Sequence, residues 1–339
     1  IDGLRGLAAL AVVLQHAMQM VHEAGRNEFD WLLSSVNLGR FGVVLFFLIS
    51  GCVIPFSFKG EQPLRNFAVS RFFRLFPAYW LSIPVLALVA MTRGQLFLPR
   101  DFLANLTMMQ GFWSGVNIGP GYWTLSYEMG FYLLCAFLFW RGWLKDAAMV
   151  STLAAAMLCA TLWPVVANDP DHATQAPFFV ALFLLGTVLR QAHVDGDRAA
   201  RRSALYLAPL TMLAGAAMSG LFRPAEPWPG VGGYFPPLAL ANAMVLPIPC
   251  FIAVLRRQPA IPRTAVWLGA ISYSVYLFQD VGLWLLPRFM SLHDQPVAYI
   301  ALVFALTIAI AALVHRFVER PMIALGRRFS HREEKLDRA

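Results

Sequence analysis

The stretch 297–316 reads VAYIALVFALTIAIAALVHR, and no charged residue interrupts it from Val297 to Val314. An α-helix rises about 1.5 Å per residue, so a run of this length covers about 30 Å, the hydrocarbon thickness of a bilayer. It has no polar face, so a helix formed here is surrounded by apolar material on every side. Runs of the same character precede it near 4–22, 37–57, 75–92, 121–140, 147–165, 176–190, 203–222, 235–255 and 265–287. In lipid, only helices and closed barrels satisfy their own backbone groups. The expected fold is therefore all-α, a polytopic integral membrane bundle of about ten transmembrane helices. Composition agrees: 58% of the 339 residues are apolar and 14% charged, against about 45–50% and 25% in soluble domains.

The net charge of +8 does not point to nucleic acid, because the basic residues sit in short clusters between apolar runs. With a cytoplasmic N-terminus, 21 of the 27 lysines and arginines fall on the inside, and Arg26, Arg40, Arg93, Arg100, Arg223 and Arg288 fall outside. That asymmetry predicts two cytoplasmic termini in a multi-pass membrane protein. Residues 1–322 are expected to form the membrane domain and 323–339 a charged cytoplasmic tail. Cys52, Cys135, Cys159 and Cys250 lie within apolar runs without a CxxC partner, so neither a disulfide framework nor a metal site is expected. No cleavable signal pattern is visible, and the chain ends at Ala339, soon after the last run, so no fused extracytoplasmic domain is expected.

Charged or titratable side chains inside a membrane are costly, which makes them functional candidates. Away from the ends of the apolar runs the candidates are His16, Glu128 and Asp280. Eleven steps separate Arg5 from His16, about three helical turns, so both lie on one face roughly 16 Å apart. Counted from the ends of their runs, His16, Glu128 and Asp280 are expected in one layer of the outer half of the bilayer. The plainer reading is a snorkelling arginine and a hydrogen-bonded core histidine. At the inner side, Arg71 and Arg74 are one turn apart, before the third run. Two guanidinium forks suit phosphate, although spacing alone favours ordinary positive-inside anchoring. The longest external connection, 93–120, includes Asn105, Gln110 and Trp113, and loops of that length often form a lid or mouth.

Six motifs in order along nearly the whole chain resemble the acyltransferase-3 family of membrane acyltransferases. They are Asp2-Gly3-Leu4-Arg5 with His16, the run GVVLFFLISG at 42–51, Arg71-Phe72-Phe73-Arg74, and Trp123 to Tyr132 (WTLSYEMGFY). Ser272-Tyr273-Ser274-Val275-Tyr276-Leu277 and Glu319-Arg320-Pro321 complete the set. The resemblance implies transfer of an acyl group, acetyl by expectation, from cytoplasmic acyl-CoA to a hydroxyl of a carbohydrate or glycoconjugate, without a metal. On that reading His16 is a general base or transient acyl carrier, oriented by Glu128. Arg5, Arg71 and Arg74 hold the CoA donor, while Tyr122, Trp123 and Asp280 face the acceptor. Two departures stand out: Gln279 occupies a place where relatives often have histidine, and Met129 one where many carry a second acid. Two other classes compete. A proton-coupled solute transporter also uses sparse intramembrane acids and histidines, and a lipid-linked-sugar glycosyltransferase could use Glu23, Glu28 and Asp30 of the first external loop.

Overall fold

The computed structural model describes residues 1–113, 116–167, 174–221 and 236–336. Arg223 and the span limits near 222 and 235 lie outside the described residues. Ten long helices coincide with the ten apolar runs: α1 (Asp2–Glu23), α2 (Leu38–Val53), α3 (Pro63–Met91), α4 (Tyr122–Trp140) and α5 (Ala147–Val166). They continue with α6 (Ala176–His193), α7 (Arg198–Leu221), α8 (Pro237–Arg257), α9 (Arg263–Leu285) and α10 (Pro296–Val314). Among the described residues no strand occurs, and eight of these helices are long and apolar enough to cross a membrane. The other two, α4 and α9, are of similar length but carry Glu128, Gln279 and Asp280. The chain is an all-α, multi-pass membrane bundle.

Helix α1 is central, packed against α9 on one side and α2 on the other. Glycines allow the close approach that membrane helices need where no hydrophobic effect drives them together. A Cβ on Gly269 would collide with the carbonyl oxygen of Asp2. Across α2 and α6 the arrangement is reciprocal: Gly51 lies against the Phe183 carbonyl, and Gly186 against that of Leu48. Thr187 adds a hydroxyl donated to the Gly51 carbonyl oxygen at 3.0 Å.

Two elements run longer than the sequence suggests. Helix α3 begins at Pro63, not near 75, so Arg71 and Arg74 sit within the helix and not before it. The reason is local: Phe67, Phe72 and Phe73 supply apolar contacts that carry the helix beyond its purely apolar stretch, with Phe67 stacked on Phe58 at 4.2 Å. At the far end, α10 passes through one π-helical turn, His315–Glu319, into α11 (Arg320–Leu336). Much of the expected tail is therefore helix, and its Phe329 ring stacks on Phe73 at 5.5 Å. The turn is held by His315 Nδ1 to Glu319 Oε2 at 2.9 Å and by the Ser274 hydroxyl, which donates to Glu319 Oε1.

Candidate active site

The basic end of the bundle holds the larger cavity, about 340 Å³, between α3, α11 and the turn before α3. Lys59, Asn66, Ser70, Arg74 and Arg327 line it. A second cavity of about 50 Å³ lies inside the bundle, lined by Arg5, Ser50, Glu128, Ser272, Tyr273 and Tyr276. Arg74 lines the first cavity and Arg5 the second.

Glu128 is well held. It accepts from the Tyr132 hydroxyl at 2.6 Å and the Ser50 hydroxyl at 3.3 Å, and its charge opposes that of Arg5. Tyr132 is four residues on from Glu128, on the same helical face, so this partner was readable in the sequence; Ser50, on α2, was not. Arg71 stacks its guanidinium over Phe67 (5.6 Å) and Tyr132 (5.9 Å), with its Nε buried and unpartnered. Arg74, one turn further on, lines the basic cavity, and Arg71 does not.

Of the expected layer, His16 and Asp280 lie at similar depth, because α1 and α9 run side by side with Gly3 against Ala265 and Gly6 against Gly269, but Glu128 does not join them. Antiparallel α2 gives the depth scale beside α1: the Leu38 backbone N–H donates to Gln15 Oε1 at 2.8 Å, next to His16. Ser50, the partner of Glu128, is twelve residues further along α2, about 18 Å deeper at the helical rise. Glu128 therefore accompanies Arg5 and not His16, and its expected role in orienting His16 is overturned. The depth count failed because α4 starts below the surface. Gly121, just before it, accepts from the Tyr276 hydroxyl at 3.0 Å, and Tyr276 is nine residues, about 14 Å, short of the outer end of α9.

His16 is half-buried on α1, with Nδ1 3.1 Å from Gln19 Oε1. Gln19 is one turn away, a pairing the sequence permits but does not announce. Asp280 is buried, and the cation acting on it is Arg93. Tyr122 is also a correction. It is buried, its hydroxyl meets Ser82 Oγ at 2.5 Å and its ring packs on Tyr79 at 4.8 Å, so it braces the core and offers no face to a sugar. The segment before it turns inward through two short helices, Pro99–Leu106 and Gln110–Trp113. Buried Asn105 and Gln110 tie that segment down, donating to the Val116 carbonyl at 2.9 Å and to Asn117 Oδ1 at 2.8 Å. Trp123 is half-buried, with the Arg40 guanidinium 4.7 Å above its ring. Arg40, counted from sequence as a loop charge, lies in α2. In the first external loop Glu28 pairs with Arg26, which holds its carboxyl below the usual range, and Asp30 pairs with His22 Nδ1 at 2.7 Å.

A helical membrane bundle with a basic cavity at one end, a half-buried arginine and glutamate lining a second cavity, and a histidine beyond them is a class of protein suited to chemistry inside the bilayer. The chain belongs to the acyltransferase-3 family, whose acyltransferase-domain model matches residues 1–316. Among curated proteins it resembles nodulation protein 10 of Rhizobium leguminosarum bv. viciae, 30% identical over 45% of this chain and 48% of that protein. It also resembles the acyltransferase MdmB of Streptomyces mycarofaciens, 27% identical over 52% of this chain and 49% of the relative. The peptidoglycan O-acetyltransferase OatA of Listeria monocytogenes is 23% identical over 95% of this chain and 55% of its own length. The chain thus spans about half the length of these relatives. No solved structure matches it.

Proposed function

We propose that the protein is an O-acyltransferase of the bacterial cytoplasmic membrane, moving an acyl group, acetyl by preference, from cytoplasmic acyl-CoA to a hydroxyl of a sugar or glycoconjugate. The observation that carries this reading is the set of cations on the two cavities, Lys59, Arg327 and Arg74 on the larger and Arg5 on the smaller. A donor with several phosphates on a long uncharged arm suits a basic mouth followed by a narrow interior. The 21-to-6 split of basic residues supports putting that mouth, and both chain ends, in the cytoplasm.

In this mechanism Arg74 and Arg71 grip phosphate oxygens, and Glu128 balances Arg5 while Arg5 holds the polar part of the arm. The thioester then covers the roughly 16 Å of α1 between Arg5 and His16. His16 takes the proton of the acceptor hydroxyl as its oxygen attacks the thioester carbonyl. The carbon–sulfur bond breaks and the CoA sulfur recovers that proton from the imidazolium. Covalent carriage by the imidazole is the other route open to a histidine, and a burst of CoA release equal to the enzyme concentration would distinguish it.

The test is CoA release and labelled-acetyl transfer from acetyl-CoA by protein purified into liposomes. Charge-assisted hydrogen bonds are worth about 1.5–3 kcal/mol, so Arg74→Ala is expected to raise the KM for acetyl-CoA about 10- to 100-fold with a much smaller change in kcat. Protein that neither binds acetyl-CoA nor releases CoA from it would overturn the proposal, leaving transport as the reading to test. Glu128→Gln, which keeps the shape but removes the charge facing Arg5, is expected to lower transfer at least about 10-fold. Unaltered transfer would remove Glu128 from the mechanism.

A further inference from the structure

Arg40 is a cation that the donor path does not use. It is the third residue of α2, at the end of the bundle where His16 lies, and its charge acts on His16. An arginine at a helix end is free to extend its head into water; this one does not. Its guanidinium is folded back over Trp123 of α4 at 4.7 Å and Phe179 of α6 at 5.9 Å. Nη1 donates to Gln175 Oε1 at 3.1 Å. Trp123 and Phe179 in turn pack on each other, centroids 5.4 Å apart. Three helices therefore fix one plane of the fork. Among the described residues no carboxylate pairs with Arg40, and Nε and Nη2 have no hydrogen-bond partner. They are not sealed in, because Arg40 is only half-buried.

A cation at membrane depth ordinarily has an anion beside it, and a guanidinium held on one edge presents the other as a ready bidentate site for a carboxylate or phosphate. We propose that Arg40 binds an anionic group of the acceptor, so that the acceptor is a carboxylated or phosphorylated sugar whose free hydroxyl is thereby brought to His16. Trp123 supplies the apolar ring face beside it. This inference rests on the acyltransferase reading and narrows it to a substrate class.

The experiment compares acetyl transfer from acetyl-CoA to methyl glucoside, methyl glucuronide and glucose 1-phosphate, using wild type, Arg40→Gln and Arg40→Lys in liposomes. Wild type is expected to favour at least one charged sugar by about 10-fold or more in kcat/KM, the size of one charge-assisted contact. Arg40→Gln should bring that ratio to within about 2-fold of unity, and Arg40→Lys should restore part of it. Preference for the glucuronide or for the phosphate identifies the anionic group. Equal use of all three sugars by wild type overturns the proposal, as does the same proportional loss for neutral and charged sugars in Arg40→Gln. Saturation-transfer NMR on the same proteins reads the site without turnover. There the charged sugar should give a stronger signal than methyl glucoside, and Arg40→Gln should lose the difference. Absence of that difference in wild type overturns the Arg40 assignment alone, whereas absence of CoA release overturns the acyltransferase reading.

Discussion

His16→Ala is expected to lower acetyl transfer by about 10²- to 10⁴-fold, the range a positioned general base contributes, in a protein that still elutes as a single folded species. The imidazole is set up for this by its neighbour. Gln19 Oε1 lies 3.1 Å from Nδ1, so Gln19 engages one ring nitrogen and leaves Nε2 as the nitrogen that can meet a substrate. Gln19 is itself buried, which limits the other positions the ring can take. A base needs its free nitrogen accessible, and His16 is half-buried, unlike its fully enclosed neighbours Val13 and Ala17. The same exposure makes truncation tolerable for folding, so lost transfer with an unchanged melting temperature separates chemistry from collapse. Transfer within a few-fold of wild type would remove His16 from the mechanism.

What the sequence made legible was whatever depends on local composition. The apolar run 297–316 and its nine companions each became a helix, because length and hydropathy are properties of a single segment. Helical spacing puts Arg71 and Arg74 one turn apart and permits Glu128 to meet Tyr132 and His16 to meet Gln19, without singling out either of the last two pairs. What failed were inferences about relative depth. Glu128 and His16 each lie about 10 Å from the outer ends of their own helices, yet α4 begins beneath a folded-in segment and α1 does not. That infolding is held by Asn105 and Gln110 within the segment and by the Tyr276–Gly121 bond across 155 positions, contacts that no periodicity encodes. Tyr122 was misread for the same reason. At the true surface it would have been an aromatic belt residue; below it, Ser82 takes its hydroxyl. Arg40 illustrates a further limit, since charge counting assigns it to a side of the membrane but cannot find Trp123, 83 positions away.

Gly186→Val and Gly51→Val are each expected to abolish or severely reduce the yield of folded protein, although neither residue touches the donor path. Glycine–carbonyl contacts of this kind cannot be relieved by rotating a side chain. A Cβ on Gly51 would overlap the Phe183 carbonyl oxygen, and one on Gly186 would overlap that of Leu48, so α2 and α6 must separate as rigid bodies. Separation then costs the Thr187 bond to the Gly51 carbonyl and loosens the Phe47–Phe183 contact at 4.4 Å. Overpacking of a well-filled core costs about 1–3 kcal/mol, and losing packed contacts along the same helix pair adds to it. Gly130 is the internal comparison: a Cβ there meets only Phe112, at 3.8 Å. Gly130→Ala should therefore fold normally, and replacing glycine by alanine inside a helix is worth up to about 1 kcal/mol in its favour. Monodisperse elution and melting temperature in detergent would check all three. Normal folding of Gly186→Val would mean that α2 and α6 are less closely apposed than their backbones indicate. Because α2 carries Arg40 at one end and Ser50 at the other, a shift of this helix pair would disturb both sides of the proposed site at once.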